Sequence, residues 1–363
     1  MATLTQYNPN VPLNACLFEA GASKTVYALV RPEIEDIREN VLGSILFGDL
    51  TKARADYLTM FRDAWTSKQD AFHEDFFKEW VRWSAPVVED IDRHLFSFYY
   101  PTAGASEGLR HLIYSHAAKG GQTIHVFEGE YEGYKAMAEA AGLKVVEWQR
   151  DGRDGWHTPF GGRFNRVASN IGREDIFLIS QPSAIDGNVW PEFNEFISKM
   201  PNDSVIVDLT YVGAVPQYAI IERFNANQPA VRNIVFSLSK PFGVYYDRIG
   251  GVFAKTEDLG LFGNKWFKNL TSLALGTELL QQHQVFDFVE RTTALQREAC
   301  KHVGERLNIE LTPSHVSILA TAPAADDDVL NRYLIRAGKI RLCLTPYISK
   351  KLGTSGSREY SYK

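Results

Sequence analysis

The sequence predicts an α/β protein, with a mostly parallel central sheet, helices on both of its faces, and a smaller α+β domain. The chain has 363 residues, of which 45% are hydrophobic, enough for one large core and a smaller one. From about residue 96, short apolar runs alternate with amphipathic segments, a pattern typical of strands separated by helices. After about residue 265 a helical pattern returns, followed by two more short apolar runs.

The elements follow in order along the chain. Residues 31–95 combine charged helix formers with recurring apolar positions, which predicts helices that pack an aromatic face. The predicted strands of the large sheet are FSFYY, TIHVF, LKVVEW, DIFLIS, SVIVDLT, NIVFSLS and GGVFAK. SILATA and KIRLCLT predict short strands near the C-terminus. We expect an N-terminal arm and part of the small domain over residues 1–50, a large domain over 51–265, and the rest of the small domain over 266–363.

The composition of the chain indicates which kinds of binding partner to expect. The net charge of −5 comes from 39 basic and 44 acidic residues scattered along the chain, which argues against a nucleic-acid-binding surface. Cys16, Cys300 and Cys343 are far apart and have no metal-ligand spacing, which argues against disulfides and a zinc site. No signal-peptide pattern or membrane-length apolar run is present. We therefore expect a cytoplasmic protein with a small-molecule partner and no metal, nucleic acid or membrane partner.

Residues directly after the predicted strands are the first candidates for a site, because ligands bind at the carboxyl ends of a doubly wound sheet. Gly104, Ala105 and Ser106 lie between a strand and a helix, where backbone N–H groups favour phosphate, although small residues are common in such turns. Asp208 ends an apolar strand and is either a ligand partner or a cap. Lys240 follows another strand, and a desolvated lysine can form an imine with a carbonyl, whereas most lysines there are merely solvated.

Together with an aromatic residue, Tyr131, and an arginine, Arg248, these residues form one ordered set. The set resembles the fold-type I pyridoxal phosphate (PLP) enzymes of the aspartate aminotransferase superfamily, in particular the class I/II aminotransferases. SLSKPFGVYYDRIGG is similar to the S-x-S-K motif of that family, and VIVDLTY to its D-x-x-Y motif. The resemblance covers roughly residues 97–255, with a weaker match near 336–345. It implies the aspartate aminotransferase fold, PLP as cofactor, and an L-amino acid substrate.

The resemblance also implies roles for single residues. Lys240 is expected to bind PLP as an imine and to move the substrate proton, while Asp208 keeps the pyridine nitrogen protonated and Tyr211 hydrogen-bonds the ring oxygen. Arg341 is expected to clamp the α-carboxylate of the substrate, with Arg336 as its rival. The remaining expected cofactor contacts are Gly104, Ala105, Ser106, Tyr131, Ser237, Ser239 and Arg248.

One segment departs from the family pattern. Where the family has N-P-x-N-P-T-G, this chain reads QPSAIDGN, which places Ala184 at the asparagine that contacts the ring oxygen. Gln181, Ser183 and Asn188 are candidate replacements. Two functions therefore stay open: an aminotransferase, and a PLP enzyme of the same fold that eliminates, replaces or cyclises, for example on an arginine-like amino acid. The lysine, aspartate and arginine of the motifs argue against a PLP-free sensing module, and the chain order of the matches argues against an unrelated α/β protein.

The family resemblance implies a homodimer with active sites at the subunit interface. The residue donated by the neighbouring subunit is not identified by any motif. Tyr27, Tyr57 and the aromatic cluster near Trp80 are candidates, and burial in the core is the alternative explanation for most of them. Residues that either line the substrate pocket or lie on the surface are Lys265, Trp266, Lys268 and Asn269.

Overall fold

The computed structural model describes residues 13–47, 70–149 and 167–354, apart from residues 169, 173, 267–268, 325–329 and 332–333. The helices are α1 (Leu13–Ala20), α2 (Pro32–Phe47), α3 (Asp70–Ser84), α4 (Ala105–Ala118), α5 (Glu132–Ala140), α6 (Phe193–Lys199), α7 (Ser239–Phe242), α8 (Leu270–Gln282), α9 (Val289–Leu307) and α10 (Thr345–Leu352). The strands are β1 (Phe98–Thr102), β2 (Thr123–Phe127), β3 (Lys144–Trp148), β4 (Ile176–Ser180), β5 (Val205–Asp208), β6 (Val231–Ser237), β7 (Gly250–Ala254), β8 (Thr312–Pro313), β9 (Leu319–Pro323), β10 (Ile335–Arg336) and β11 (Lys339–Cys343).

The first seven strands form one sheet in the order β1-β7-β6-β5-β4-β2-β3. The pairs from β3 through β2, β4 and β5 to β6 are parallel, and β7 runs antiparallel to both β1 and β6. Strands β4 and β5 are buried along their whole length, because helices cover both faces of the sheet. The predicted α/β class with a mostly parallel sheet is confirmed.

The large sheet has a hydrophobic core on each of its two faces, and strand β6 contributes side chains to both. Its Phe236 faces α3, where it stacks on Trp80 with ring centroids 4.2 Å apart and meets Phe77 edge-on at 5.5 Å. The preceding residue, Val235, belongs to the core on the opposite face, beneath α4 and α5, because side chains alternate between the two faces of a strand. Trp80 is therefore a core residue, which is the alternative that the sequence left open for the N-terminal aromatics.

The second sheet is smaller and antiparallel, with the order β10-β11-β9-β8. Its core is shared with α1, α9 and α10 and includes Leu17, Val303 and Ile348. Helices α8 and α9 are separated by a turn in which the Asp287 carboxylate accepts a hydrogen bond from the Gln284 N–H at 2.7 Å. The first predicted domain boundary, at residue 50, lies outside the described residues, and the second, at residue 265, stays a prediction. No helix in the described part of the chain has the length and apolar character needed to cross a bilayer.

Candidate active site

A cavity of about 300 Å³ opens at the carboxyl ends of β5 and β6, between the two sheets. This is the position at which an open α/β sheet binds ligands. The predicted site residues that line the cavity are Ala105, Ser106, Tyr131, Asp208, Tyr211, Ser237, Ser239, Lys240, Arg248 and Arg341. Gly104 is adjacent to it, against the Arg248 guanidinium. The sequence-predicted residues are thus brought together in one place, although they span more than two hundred positions of the chain.

Lys240 lies in the first turn of α7, directly after β6. Its Nζ donates a hydrogen bond to the backbone carbonyl of Val26 at 2.6 Å. Burial is the main cause that lowers the pKa of Lys240 to about 8; Cys343 opposes it, while the nearby cations Arg341 and Arg248 contribute to the lowering because each disfavours the ammonium form. A substantial fraction of the amine is therefore neutral, and nucleophilic, at mildly alkaline pH.

An extended segment, residues 21–31, crosses the cavity beside this lysine, and we call it the strap. Backbone hydrogen bonds of 2.9 Å in both directions pair Ser23 with Cys343 of β11. At its other end Arg31 is buried, and its Nε donates to the carbonyl of Pro241 at 3.0 Å. The strap brings residues 24–26 to the cavity wall. Sequence reasoning missed this wall, since no motif marks it and its contacts to the lysine are made by the backbone.

Asp208 ends β5 and is 6% exposed. The backbone N–H of Thr210 donates to its Oδ1 at 2.9 Å, the Thr210 hydroxyl donates to the same oxygen, and the Tyr134 hydroxyl donates to Oδ2 at 2.8 Å. Burial raises the pKa of Asp208, whereas these three hydrogen bonds oppose the rise by stabilising the carboxylate. The donors hold the carboxylate in a fixed orientation at the cavity wall.

Tyr134 was not singled out from the sequence, although Tyr131 was. Tyr131 precedes α5 and is 40% exposed, while Tyr134 lies one turn further on and is fully buried, with ring centroids 5.4 Å apart. Residues three apart share one side of a helix, so this spacing is a signal that could have identified Tyr134. The exposed ring lines the cavity, and the buried one supports Asp208 from behind.

Tyr211 contributes a hydroxyl to the cavity. The side chain is 7% exposed and follows Asp208 by three residues in the turn after β5. Burial raises the pKa of Tyr211 to about 12. The phenol therefore stays protonated at neutral pH and can donate a hydrogen bond to a ligand oxygen.

The turn between β1 and α4 forms an anion-binding end of the cavity. Gly104 has a φ of 81°, and a Cβ at this position would lie 2.8 Å from Nη2 of Arg248, so only glycine lets the guanidinium approach the turn this closely. The hydroxyl of Ser237 donates to that of Ser239 at 3.0 Å on the same side. Backbone N–H groups at the start of α4, two hydroxyls and one guanidinium are a donor set that suits a phosphate.

The two rival arginines differ in what they contact. Arg336 donates to the carbonyl of Gly129 at 3.2 Å and forms an ion pair with Glu132 at 2.6 Å. Arg341 is 6% exposed, donates from Nη1 to the carbonyl of Ala184, and has a buried Nε that finds no hydrogen-bond partner among the described residues. Burial lowers the pKa of Arg341 to about 10, and the charge of Arg336 acts in the same direction. The geometry therefore favours Arg341 as the residue with donors available for a ligand carboxylate.

Ala184, the position predicted to correspond to the family asparagine, differs from its three candidate replacements in where it lies. Ala184 lines the cavity, and none of the three candidate replacements does. The Gln181 amide exchanges hydrogen bonds of 3.0 and 3.2 Å with the backbone of Trp190. Ser183 and Asn188 each accept a hydrogen bond from a nearby backbone N–H. The site thus lacks a side-chain amide at this position.

Those residues after β7 that the sequence offered as candidates for the substrate pocket, and that the structure describes, lie outside the cavity. Lys265 forms an ion pair with Glu257, Trp266 is 56% exposed, and the Asn269 side chain caps α8 by accepting from Ser272 N–H at 3.2 Å. None of these residues lines the cavity, so the surface alternative holds for those that the structure describes. Two further candidates, Lys268 and Tyr57, lie outside the described residues.

Comparisons with known proteins show which sequences and folds this chain resembles. A histidinol-phosphate aminotransferase from Sinorhizobium fredii is 23% identical over 252 residues, which cover 67% of this chain and 65% of the relative, slightly less than two thirds of its length. A PLP-bound C-S lyase from Staphylococcus hominis superposes with a TM-score of 0.62 at 12% identity, covering 88% of each chain. A PLP complex of histidinol-phosphate aminotransferase from Sinorhizobium meliloti gives 0.58 at 13% identity, covering 97% and 96%.

The same fold occurs in aspartate aminotransferase from Thermotoga maritima, with a TM-score of 0.58 at 14% identity and 91% of each chain covered. These structural likenesses establish the fold. The family profile "Aminotransferase class I and II" matches residues 100–314, which contain both strand-end motifs and the anion-binding turn. Since this match spans more than half of the sequence, the chain belongs to the class I and II aminotransferase family.

Proposed function

We propose that this protein is a PLP-dependent aminotransferase that acts on the α-amino group of an L-amino acid. The observation that carries the proposal is the convergence in one cavity of the Lys240 amine, the Asp208 carboxylate, an anion-binding turn and the Arg341 guanidinium. PLP is the cofactor of this family, and it presents an aldehyde, a ring nitrogen and a phosphate. Each of these groups has a chemically matched partner in the cavity.

The residues present fit this cofactor. A Cβ on Gly104 would lie only 2.8 Å from Nη2 of Arg248, so the bare glycine and the guanidinium together form a cradle for the phosphate. The orphaned Nε of Arg341 is a buried donor that a substrate carboxylate would satisfy. An amine with a pKa of about 8 is suited to attack an aldehyde, because it is not fully protonated near neutral pH.

When bound, PLP supplies an electron sink for the charge left at Cα of the substrate. Arg341 binds the α-carboxylate and so orients the amino acid. Lys240 would accept the proton from Cα at its Nζ and would deliver it to the cofactor carbon. Asp208 would keep the ring nitrogen of the cofactor protonated, and the protonated Tyr211 would donate from its hydroxyl to the ring oxygen.

A second function is favoured by one observation. Ala184 leaves the family position without a side-chain amide, and Gln181, Ser183 and Asn188 do not reach the cavity. An enzyme of the same fold that eliminates a side-chain group and does not transaminate is therefore the alternative, and a C-S lyase is among the structural relatives.

The test is an absorbance spectrum of the purified protein with added PLP, before and after a panel of L-amino acids, with Lys240→Ala as the control. We expect a visible band for the bound cofactor in the wild type and none in the variant. A keto acid of unchanged carbon skeleton, with the amino group recovered on the cofactor, would support transamination. Release of ammonia with a side-chain fragment would support elimination, and the absence of any band in the wild type would overturn both.

A further inference from the structure

The strap places a cation in the cavity that no step of the proposed reaction uses. Lys24 lines the cavity next to Thr25 and Val26, and its side chain is partly buried. No salt bridge joins Lys24 to a carboxylate of the described residues. An ammonium that faces a binding cavity in this way attracts anionic ligand groups.

The backbone contacts of the strap define where this ammonium lies. Ser23, the preceding residue, pairs with Cys343, which is two residues beyond Arg341 on β11. Two residues after Lys24, the carbonyl of Val26 accepts the hydrogen bond of Lys240. Lys24 therefore belongs to a stretch of the cavity wall that is held to β11 at one end and to the Lys240 amine at the other, in the same cavity as the Arg341 guanidinium.

The other charged groups of the cavity already have partners or roles. Arg336 is paired with Glu132, and Arg248 lies against Gly104 in the anion-binding turn between β1 and α4. The lining carboxylates are Glu132, which holds Arg336, and Asp208, which accepts hydrogen bonds from Thr210 and Tyr134. A cationic side chain of a substrate would meet no uncommitted carboxylate among the described lining residues, whereas an anionic one would meet Lys24.

We propose that Lys24 binds a second anionic group of the substrate, so that the amino acid carries a carboxylate or a phosphate on its side chain. The inference rests on the proposed function for the placement of the α-carboxylate at Arg341. It favours acidic or phosphorylated amino acids and disfavours arginine-like ones.

The first test measures binding without turnover. Calorimetric titration of the PLP-loaded protein compares glutarate, which has two carboxylates, with butyrate, which has one. The expected result is about tenfold or more tighter binding of glutarate, because a hydrogen-bonded ion pair is worth at least that much when partly desolvated. Lys24→Met should abolish the preference, while the exposed control Lys144→Met keeps it. An equal preference in wild type and Lys24→Met would overturn the proposal.

The second test reverses the charge. Half-saturation of the cofactor absorbance change is measured with L-glutamate, O-phospho-L-serine, L-alanine and L-arginine. The wild type should reach half-saturation at lower concentrations of L-glutamate and O-phospho-L-serine than of the other two amino acids. The ratio of these two concentrations shows whether the site prefers a carboxylate or a phosphate. Lys24→Glu should shift the preference toward L-arginine. A wild type that responds best to L-arginine or L-alanine would contradict the role of Lys24 but leave the aminotransferase proposal intact. A protein that binds glutarate through Lys24 and responds to no amino acid would contradict only the proposed function.

Discussion

Lys240 is a partly buried amine and Asp208 a buried carboxyl group, and burial shifts the pKa of each in the direction that favours its neutral form. For Lys240, Cys343 opposes the effect of burial, and two arginines reinforce it. For Asp208, three hydrogen bonds oppose it. Burial therefore leaves Lys240 with a reactive amine, whereas the hydrogen bonds to Asp208 stabilise its carboxylate. A lysine nucleophile and an acid that binds a cation require these two different states.

The reactivity of Lys240 should follow the titration of its amine. Because only the neutral amine attacks a carbonyl and its pKa is about 8, the rate at which the cofactor-free protein captures pyridoxal should rise with pH with a midpoint near 8. Arg248→Gln removes a neighbouring cation and should raise the midpoint. Borohydride trapping of the covalent adduct measures the rate, and Lys240→Ala should show no capture. A midpoint at the ordinary lysine value would contradict the assignment.

Tyr134 should tune Asp208 without touching the substrate. Tyr134→Phe removes a donor to a buried carboxylate, which raises the pKa of Asp208, and should weaken PLP binding about tenfold. The loss should be larger at low pH and smaller at high pH, where the carboxylate ionises without help. Fluorescence titration with PLP over a pH series measures both, with the exposed Tyr114→Phe as the control. A loss independent of pH would instead indicate a purely structural role.

At the scale of elements, the site depends on short turns that follow the strands. The turn from β1 into α4 brings Gly104 against Arg248, and the four-residue helix α7 presents Lys240 directly after β6. The left-handed Gly243 ends α7, and a Cβ there would lie 2.1 Å from the carbonyl of Leu29 in the strap. These close backbone approaches fix the anion-binding turn and the lysine relative to the strap.

The anion-binding turn should tolerate no side chain at residue 104. Gly104→Ala adds a Cβ 2.8 Å from the Arg248 guanidinium at a φ of 81°, so the arginine must move away from the turn. We expect at least tenfold weaker binding of PLP, through lost charge-assisted hydrogen bonds, and little change for pyridoxal, which lacks the phosphate.

Equilibrium titration with the two ligands measures the difference. Gly142→Ala is the matched control, since its φ of 74° carries similar strain but no atom lies within 4 Å of the added Cβ. Equal losses for PLP and pyridoxal in Gly104→Ala would show that the substitution disturbs more than the phosphate contact.

At the scale of the whole molecule, the class of fold and most of the site could be predicted from the sequence. Runs such as VIVD and NIVFS predict buried strands because both faces of a parallel sheet are covered; Asp208 ends the first of these strands, and Lys240 follows the second. The sequence predicts Arg341 as the clamp with Arg336 as its rival, but it does not reveal the contact that separates them, which is the ion pair of Arg336 with Glu132, some two hundred residues away. Contacts at that separation leave no local pattern in the chain.

The oligomeric state is a further prediction at this scale. Tyr246 is 84% exposed and Tyr245 is 49% exposed beside the cavity, and paired exposed aromatics of this kind favour burial against a partner subunit. We expect a homodimer of about twice the 40.9 kDa subunit mass. Sedimentation equilibrium should show that Tyr246→Arg weakens the dimer and that Tyr218→Arg, at another exposed tyrosine, does not. A wild-type monomer that binds PLP fully would contradict this expectation. The exposed Tyr27 stays a candidate for a residue donated across such an interface.

The hydrogen bond between Lys240 and Val26 has a consequence for how such a site can diversify. The acceptor is a main-chain carbonyl, so every amino acid at position 26 that keeps the path of the strap can supply it. The adjoining pairing of Ser23 with Cys343 is also made by backbone atoms. Selection for the reaction therefore acts on the course of this segment and leaves the side chains at positions 24 and 26 free to vary, so that position 24 can change the substrate without disturbing the lysine.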